Sequence, residues 1–381
     1  MNIFNRFKHN LISQAIIIAV VFGFVSGLVG GMISDVYFED WQDNYLNANL
    51  NNMNGFQEFS ELKPVKKIIG LSQDFAVADA VQKIKPAIFG LYLKKPSSGN
   101  LINQVYLNKD FLGNGFILTS DGWLVTATKV ISAYKLDQVV VIYENNIYPV
   151  NKVVSDKISG VSFIKIEKNN LPVATLGDSS AVNLGQIAVL TNYLGEVNVN
   201  NLKDNFYPNL TINNLAINSE EYGKIISLRE TLTSDFLGAL LLNMSGEVIG
   251  VTSETSQSQA SVIPANYFRF VINEVLKTNT IKRPFLGVKY LDLVFAAGLN
   301  QKQNFGRSQG ALIIEAPIKN SPAQKAGILV NDIIVSIDKQ QVNRENNLAE
   351  LIQQYQIGDE INFEILRDGK SVNLKVTLVA L

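Results

Sequence analysis

The sequence predicts a mainly β, multidomain chain behind an N-terminal membrane-spanning helix. Three observations predict it. Short apolar runs recur from about residue 87 to residue 376, separated by turn signals, which is the pattern of a β-barrel or sandwich. Leu11–Ile33 carries no charge over 23 residues. At about 1.5 Å per residue it crosses a hydrocarbon core of roughly 30 Å. The chain has 381 residues, 47% of them hydrophobic, which is enough for more than one packed core.

Composition also removes whole classes of function. Lys+Arg number 33 against 34 Asp+Glu, so no basic excess exists to hold a nucleic-acid backbone. Cysteine is absent, which excludes disulfides, thiolate metal sites and cysteine nucleophiles. The single histidine is His9. Neither a histidine–carboxylate cluster nor a calcium-loop pattern is present, so no metal and no cofactor is expected.

In chain order, Arg6 and Lys8 precede the apolar run and Asp35, Glu39, Asp40 and Asp43 follow it. The positive-inside rule then places residues 1–10 in the cytoplasm and the remainder outside the membrane, with residues 1–34 as cytoplasmic segment and anchor. Gly23, Gly27 and Gly31 recur every fourth residue, a spacing that lets two membrane helices approach closely. Residues 35–75 are polar and Asn-rich and read as a stem. Val77, Ala80, Val81 and Ile84 have helical spacing, and Ala87–Leu93 reads as a strand. Strand-like runs follow at 116–119, 123–126, 139–143, 161–166, 187–190, 240–242 and 248–251. A helix over about Asn266–Lys277 closes a domain spanning 76–280.

Residues 281–381 read as a further unit. Its strands are 286–290, 311–314, 333–337, 361–366 and 372–376, with a helix over Asn346–Tyr355. The last two strands flank Arg367-Asp368-Gly369-Lys370, a hairpin signal.

The motifs resemble the HtrA/Deg family, trypsin-like serine proteases with a C-terminal PDZ domain. The resemblance covers roughly residues 76–381. Gly113-Asn114-Gly115-Phe116-Ile117-Leu118 through Asp121-Gly122 is similar to the family's G-S-G-x-I-I…D-G hairpin. Leu171-Pro172 through Leu176-Gly177-Asp178-Ser179 is similar to its L-P-x-x-x-L-G-D-S run. Asn243 through Gly250 is similar to N-x-x-G-E-V-I-G. The resemblance implies a chymotrypsin/trypsin-like double β-barrel followed by a PDZ domain, an α+β, partly open barrel.

It also implies a Ser-His-Asp triad, in which histidine takes the serine proton and aspartate fixes the imidazole. The matching positions depart from that pattern. The histidine position of T-N-x-H-V holds Lys129, the aspartate position holds Gly160, and the serine position of G-N-S-G-G holds Leu237. Asp235 stands where the family has an oxyanion-hole glycine. The expectation is therefore an HtrA-like pseudoprotease rather than an enzyme. The alternative is a serine-type endopeptidase using Lys129 as base and Ser234 or Thr233 as nucleophile. Failing that chemistry, Asp156 could pair with Lys129.

Ser321-Pro322-Ala323 through Ala326-Gly327 and Asn331-Asp332-Ile333-Ile334 resembles the PDZ signature. Asn331 replaces a glycine and Asp338-Lys339 replaces the usual D-G. Phe285-Leu286-Gly287-Val288 resembles the loop whose amides hold a peptide's terminal carboxylate. Leu286 and Val288, with Leu348, Leu351 and Ile352 from the helix, would line the pocket for its apolar side chain. The polar insert 295–310 is expected to modify access. The implied function is binding of protein C-termini or unfolded peptides outside the cytoplasmic membrane, as sensor, scaffold or regulator in protein quality control. The resemblance also implies a homo-oligomer such as a trimer, built on Trp41, Tyr45 and Phe75, or a mixed oligomer with an active homologue.

Overall fold

In the computed structural model, the described residues are 73–96, 100–204, 215–256 and 259–381, with Gly23 and Ser26. The predicted anchor over 11–33, and Trp41 and Tyr45 of the stem, lie outside them. Among the described residues no helix is long and apolar enough to cross a membrane.

The chain enters through the helix Gln73–Ile84, which buries Ala80 and Ile84, and a 3-10 turn at Lys85–Ala87. Seven antiparallel strands then form one sheet: β1 (Ile88–Leu93), β2 (Phe111–Ile117), β3 (Trp123–Ala127), β4 (Val139–Tyr143), β5 (Asn146–Pro149), β6 (Lys152–Asp156) and β7 (Val161–Lys165). Their order is β5-β4-β1-β2-β3-β7-β6. The apolar runs predicted as strands are β1–β4 and β7, each almost wholly buried. The edge strands β5 and β6 are half exposed and polar, and the hydropathy pattern did not mark them.

A second unit is a closed six-stranded barrel. Its strands are β8 (Ile187–Thr191), β9 (Val197–Asp204), β11 (Ile226–Leu228), β12 (Leu240–Leu242), β13 (Val248–Ser256) and β14 (Gln259–Pro264), in the order β11-β14-β13-β12-β8-β9. Leu240–Leu242 is fully buried, which is why a three-residue run suffices as a barrel stave. Between β9 and β11 the chain leaves the barrel for a two-residue strand, β10 (Ile217–Asn218). The helix predicted over 266–277 is two pieces, Asn266–Arg269 and Ile272–Thr278, broken at Phe270-Val271.

The last unit holds β15 (Pro284–Phe285), β16 (Lys289–Asp292), β17 (Ala311–Ile313), β18 (Ile333–Ile337), β19 (Gln340–Gln341), β20 (Glu360–Arg367), β21 (Lys370–Thr377) and β22 (Val379–Ala380). Its main sheet runs β10-β16-β17-β18-β20-β21, with β19 on β18, and β15 pairs β22. The β20–β21 turn has positive φ at Asp368 and Gly369 (48° and 75°), the I′ geometry an Asp-Gly signal predicts. Asn331 takes φ 71°, as its tolerance of left-handed backbone predicts, and Asp338-Lys339 takes 45° and 71°. The helix predicted over 346–355 is shorter, Leu348–Ile352, capped by the Asn347 side chain on the Glu350 amide.

Strand alternation sorts the apolar side chains of this sheet into two clusters. Ala311, Ile313, Ile334 and Ile337 face a core with Leu286, Val288, Leu348, Leu351 and Ile352. Leu312, Ile333 and Val335 face the other side, where Ala296, Leu299 and Phe305 of the insert cover them. Those three insert residues therefore pack on the face away from the predicted peptide pocket, whereas Phe295, at the start of the insert, packs against the pocket's own cluster.

Candidate functional site

The fold assembles two candidate sites. The first is where the sheet β1–β7 meets the barrel. Lys129 lies on the short helix Thr128–Ile131 that follows β3. The turn between β6 and β7 brings up Gly160, at φ 78°, whose carbonyl accepts the Thr128 N–H at 2.8 Å. A 3-10 turn at Ser234–Phe236 delivers Leu237, and the Leu237 carbonyl accepts the Asn114 N–H at 2.9 Å. All three predicted positions are thus brought to one place by backbone hydrogen bonds between strands far apart in sequence. Gly238 locks the approach. At φ 73°, its missing Cβ would stand 2.3 Å from the Asn114 carbonyl oxygen, so no side chain fits.

The groups at this place are engaged as follows. The Lys129 ammonium binds Glu254 Oε1 at 2.6 Å, with both side chains about half exposed, and not Asp156, as the sequence reading allowed. Neither is it bound to Ser234 or Thr233, both exposed. The Leu237 N–H donates to the Ser234 carbonyl at 2.9 Å, and Gly238 N–H to that of Thr252 at 2.8 Å. The Asp235 carbonyl accepts the Asn114 and Asn192 side-chain amides at 2.8 and 3.2 Å. Asn114 also receives the Tyr193 N–H at 2.8 Å, so this one buried amide ties β2 to both the 234–237 turn and the end of β8.

The second site is the edge of β16 and the loop before it. Phe285 is held on β15 by β22. Leu286 N–H and Gly287 N–H converge on one oxygen, Glu220 Oε1, at 3.1 and 2.9 Å. The Val288 N–H donates to Ser219 Oγ at 3.1 Å. Gly287 has φ 84°, and a Cβ there would stand 2.5 Å from Ser321 Cβ. Its left-handed turn is what aims two consecutive amides at one point, an anion-binding nest. Alongside, β10 pairs antiparallel with β16, Ile217 opposite Tyr290 and Asn218 opposite Lys289.

A buried polar seam holds this site against the rest of the chain. Arg283 forms an ion pair with Asp156 at the end of β6, both under 5% exposed. It also donates to the Tyr222 hydroxyl, to Gln353 Oε1 and to the Tyr267 carbonyl at 3.0, 2.9 and 2.7 Å. Tyr222 stacks on Tyr267 at 3.7 Å. Glu350, on the helix beside the groove, accepts Lys224 Nζ at 2.7 Å and the Tyr267 hydroxyl at 2.9 Å. Burial pushes the Tyr222 phenol up to about 12, and that of Tyr267 well above 10, so both remain neutral, Tyr222 accepting from Arg283 and Tyr267 donating to Glu350. On β16 itself, burial pushes the Asp292 carboxyl up to about 6. Among the described residues no cluster of three histidine or carboxylate side chains forms a metal site.

Of the residues expected at the peptide site, Leu286, Val288, Leu348, Leu351 and Ile352 share one buried cluster, with Phe285 and Gly287 in the loop beside it. Sequence reasoning missed Ile217, Ser219, Glu220, Tyr222, Lys224 and Arg283. Asn218-Ser219-Glu220-Glu221 reads as a solvated polar loop, and no local signal marks it as buried.

The fold is a trypsin-like peptidase domain joined to a PDZ domain. Family models match in that order, the trypsin-like peptidase domain over residues 113–251 and the PDZ domain over 286–378. The chain is similar, in both domains and their order, to proteases of the HtrA/Deg family. A probable periplasmic serine endoprotease DegP-like from Pseudomonas putida (strain GB-1) is 27% identical over 285 residues, 71% of this chain and 56% of that protein. Serine protease Do-like HtrB from Bacillus subtilis (strain 168) is 26% identical over 325 residues, 79% of this chain and 70% of that protein. The first relatives are thus matched over about half of their length. The HtrA-type protease AlgW, solved with a decapeptide, superposes with a TM-score of 0.58 at 22% identity, over 80% of this chain and 98% of that one, a likeness of fold.

These relatives correct one expectation. The absence of the triad pattern led to the reading that the chain is not an enzyme. The relatives are named serine endoproteases, so the comparisons place the chain in a protease family and give no support to that reading.

Proposed function

We propose that this chain captures extended peptides and protein C-termini at the Phe285–Val288 loop and the β16 edge, outside the cytoplasm, in the service of protein quality control. One observation supports it above the others: two consecutive amides, Leu286 and Gly287, converge on a carboxylate oxygen beside a sheet edge that takes an antiparallel strand. Those are the two requirements of C-terminal recognition, backbone pairing for affinity and a nest for the terminal charge. Leu286, Val288, Leu348, Leu351 and Ile352 share one apolar cluster beside them, suited to an apolar final residue. The extracytoplasmic placement follows the relatives named periplasmic.

The test is fluorescence anisotropy on the full chain, comparing a labelled peptide ending in a free valine with its C-terminal amide. Hydrogen bonds to a charged acceptor contribute about 1.5–3 kcal/mol, so the free acid should bind roughly 10-fold tighter or more. Equal binding of acid and amide would sink the reading.

Peptide-bond cleavage, the activity for which the relatives are named, is a second reading and is tested separately. The described residues contain no imidazole, because His9 lies outside them. A hydroxyl nucleophile at Ser234 or Thr233 would then need Lys129 to leave Glu254 and accept its proton. Casein cleavage with fluorophosphonate labelling, both lost in Lys129→Ala, would place that chemistry at the first site. Intact casein beside an active HtrA protease would leave peptide capture alone.

A further inference from the structure

We propose that residues 217–220 are a built-in occupant of the PDZ groove, with the Glu220 side-chain carboxylate standing where a ligand's terminal carboxylate would bind. This rests on the peptide-capture reading and adds what a ligand has to displace: a strand of the chain itself.

Three independent features carry it. The first is the direction and register of β10. It runs antiparallel to β16, Ile217 opposite Tyr290 and Asn218 opposite Lys289, and the Ser219 N–H continues the ladder to the Val288 carbonyl at 2.9 Å. The segment therefore approaches the loop with its C-terminal end leading, the polarity a peptide C-terminus requires. The second is charge. Glu220 Oε1 receives the Leu286 and Gly287 amides and the Ser219 hydroxyl, and among the described residues no lysine or arginine pairs with it. A carboxylate that is 7% exposed and held only by neutral donors is solvated as a terminal carboxylate would be in the same nest. The third is burial. Ile217 is 7% exposed and joins the apolar cluster of Leu286, Val288, Leu348, Leu351 and Ile352, and Ser219 is fully buried. A loop merely crossing the domain would not place an apolar side chain, a strand and a carboxylate in the three matching subsites.

The occupant is tethered at both ends, by β9 and β11 of the barrel, so it competes as an intramolecular ligand. A free peptide sees only the fraction of molecules with the groove open, and its apparent Kd is raised by the inverse of that fraction. Displacement would also disturb Tyr222 and Lys224, a few residues on, and with them the contacts to Arg283 and Glu350. Peptide binding is in this way linked to the seam between the barrel and the PDZ domain.

The experiment uses the full chain and three variants: Glu220→Ala, Ile217→Ser and the double substitution, each checked for unchanged circular dichroism. The probe is the fluorescent valine-terminated peptide with its amide control. With an open fraction of about 0.1 or less, each variant should bind the free acid roughly 10-fold tighter than the unmodified chain, and the double variant at least as tightly. Hydrogen exchange supplies a readout that needs no peptide. The Leu286, Gly287 and Val288 amides should be protected in the unmodified chain and exchange faster in Glu220→Ala. Equal peptide affinity in all four proteins, with the preference for the acid intact, overturns the built-in occupant and leaves peptide capture standing. No binding even to the double variant overturns peptide capture, and with it the competition argued here.

Discussion

The first site and the groove are built by the same means and differ in what their polar groups face. At the meeting of sheet and barrel, the Leu237 and Gly238 amides donate to backbone carbonyls of neighbouring turns and strands, and the nearby cation, Lys129, is half exposed on Glu254. In the groove, the Leu286 and Gly287 amides converge on a buried side-chain carboxylate. Backbone groups satisfied by backbone specify a fold, whereas adjacent amides aimed at one anion specify a ligand chemistry. The difference teaches that positions can be brought together by the fold without their side chains converging on one atom.

Arg283 spans the two regions, and breaking it should give the largest effect. It joins Asp156 of β6 to Gln353 beside the groove and to Tyr222. Arg283→Met leaves the Asp156 carboxylate buried without its cation, a cost on the order of 3–5 kcal/mol. Thermal unfolding should show a fall in Tm of many degrees; a shift within a degree or two would mean the seam contributes nothing.

Asp292 sharpens the comparison on the groove side. Its carboxyl sits at about 6 rather than 3.8 because burial disfavours the charge. The raised value means the folded state holds the proton more tightly than the unfolded state. That contribution is fully present below about pH 4 and is lost as pH rises through 6. Asp292→Asn, which keeps an acceptor for the Val294 N–H, should stabilise the protein by about 3 kcal/mol at pH 7 and by little at pH 4. Denaturant titrations at the two pH values check it; an equal gain at both would rule out the charge as the cause.

Lys129→Ala should have the smallest effect on stability. An exposed pair such as Lys129–Glu254 contributes roughly 0–1 kcal/mol. A larger loss in the same denaturant titration would show that the cation is held more deeply than its exposure suggests.

Legibility followed burial. Val139–Tyr143 was readable because it is a continuous apolar run buried on both faces, and Val161–Lys165 because Val161, Phe163 and Ile164 are buried apolar side chains around a single buried serine. The Asp368-Gly369 hairpin was readable because its dihedrals demand those residues. Edge strands β5 and β6 carry too few apolar side chains to show a period. The helix at 266–277 kept its apolar spacing across Phe270-Val271, so the pattern could not reveal the break. At the groove, the loop and helix residues were legible from a local motif. Glu220 was not, because its role exists only when β10 reaches β16, some seventy residues on.

The sequence by itself determined the order of the modules, most buried strands, and the identity of the residues at the predicted triad positions. These depend on local pattern and on counting, and a single histidine at position 9 needs no coordinates. Only the tertiary structure decided that Asp156 belongs to Arg283, that Lys129 belongs to Glu254, and that Glu220 fills the nest at Gly287. Partner choice among charges is set by which groups burial brings within hydrogen-bond reach, and no local pattern encodes that distance.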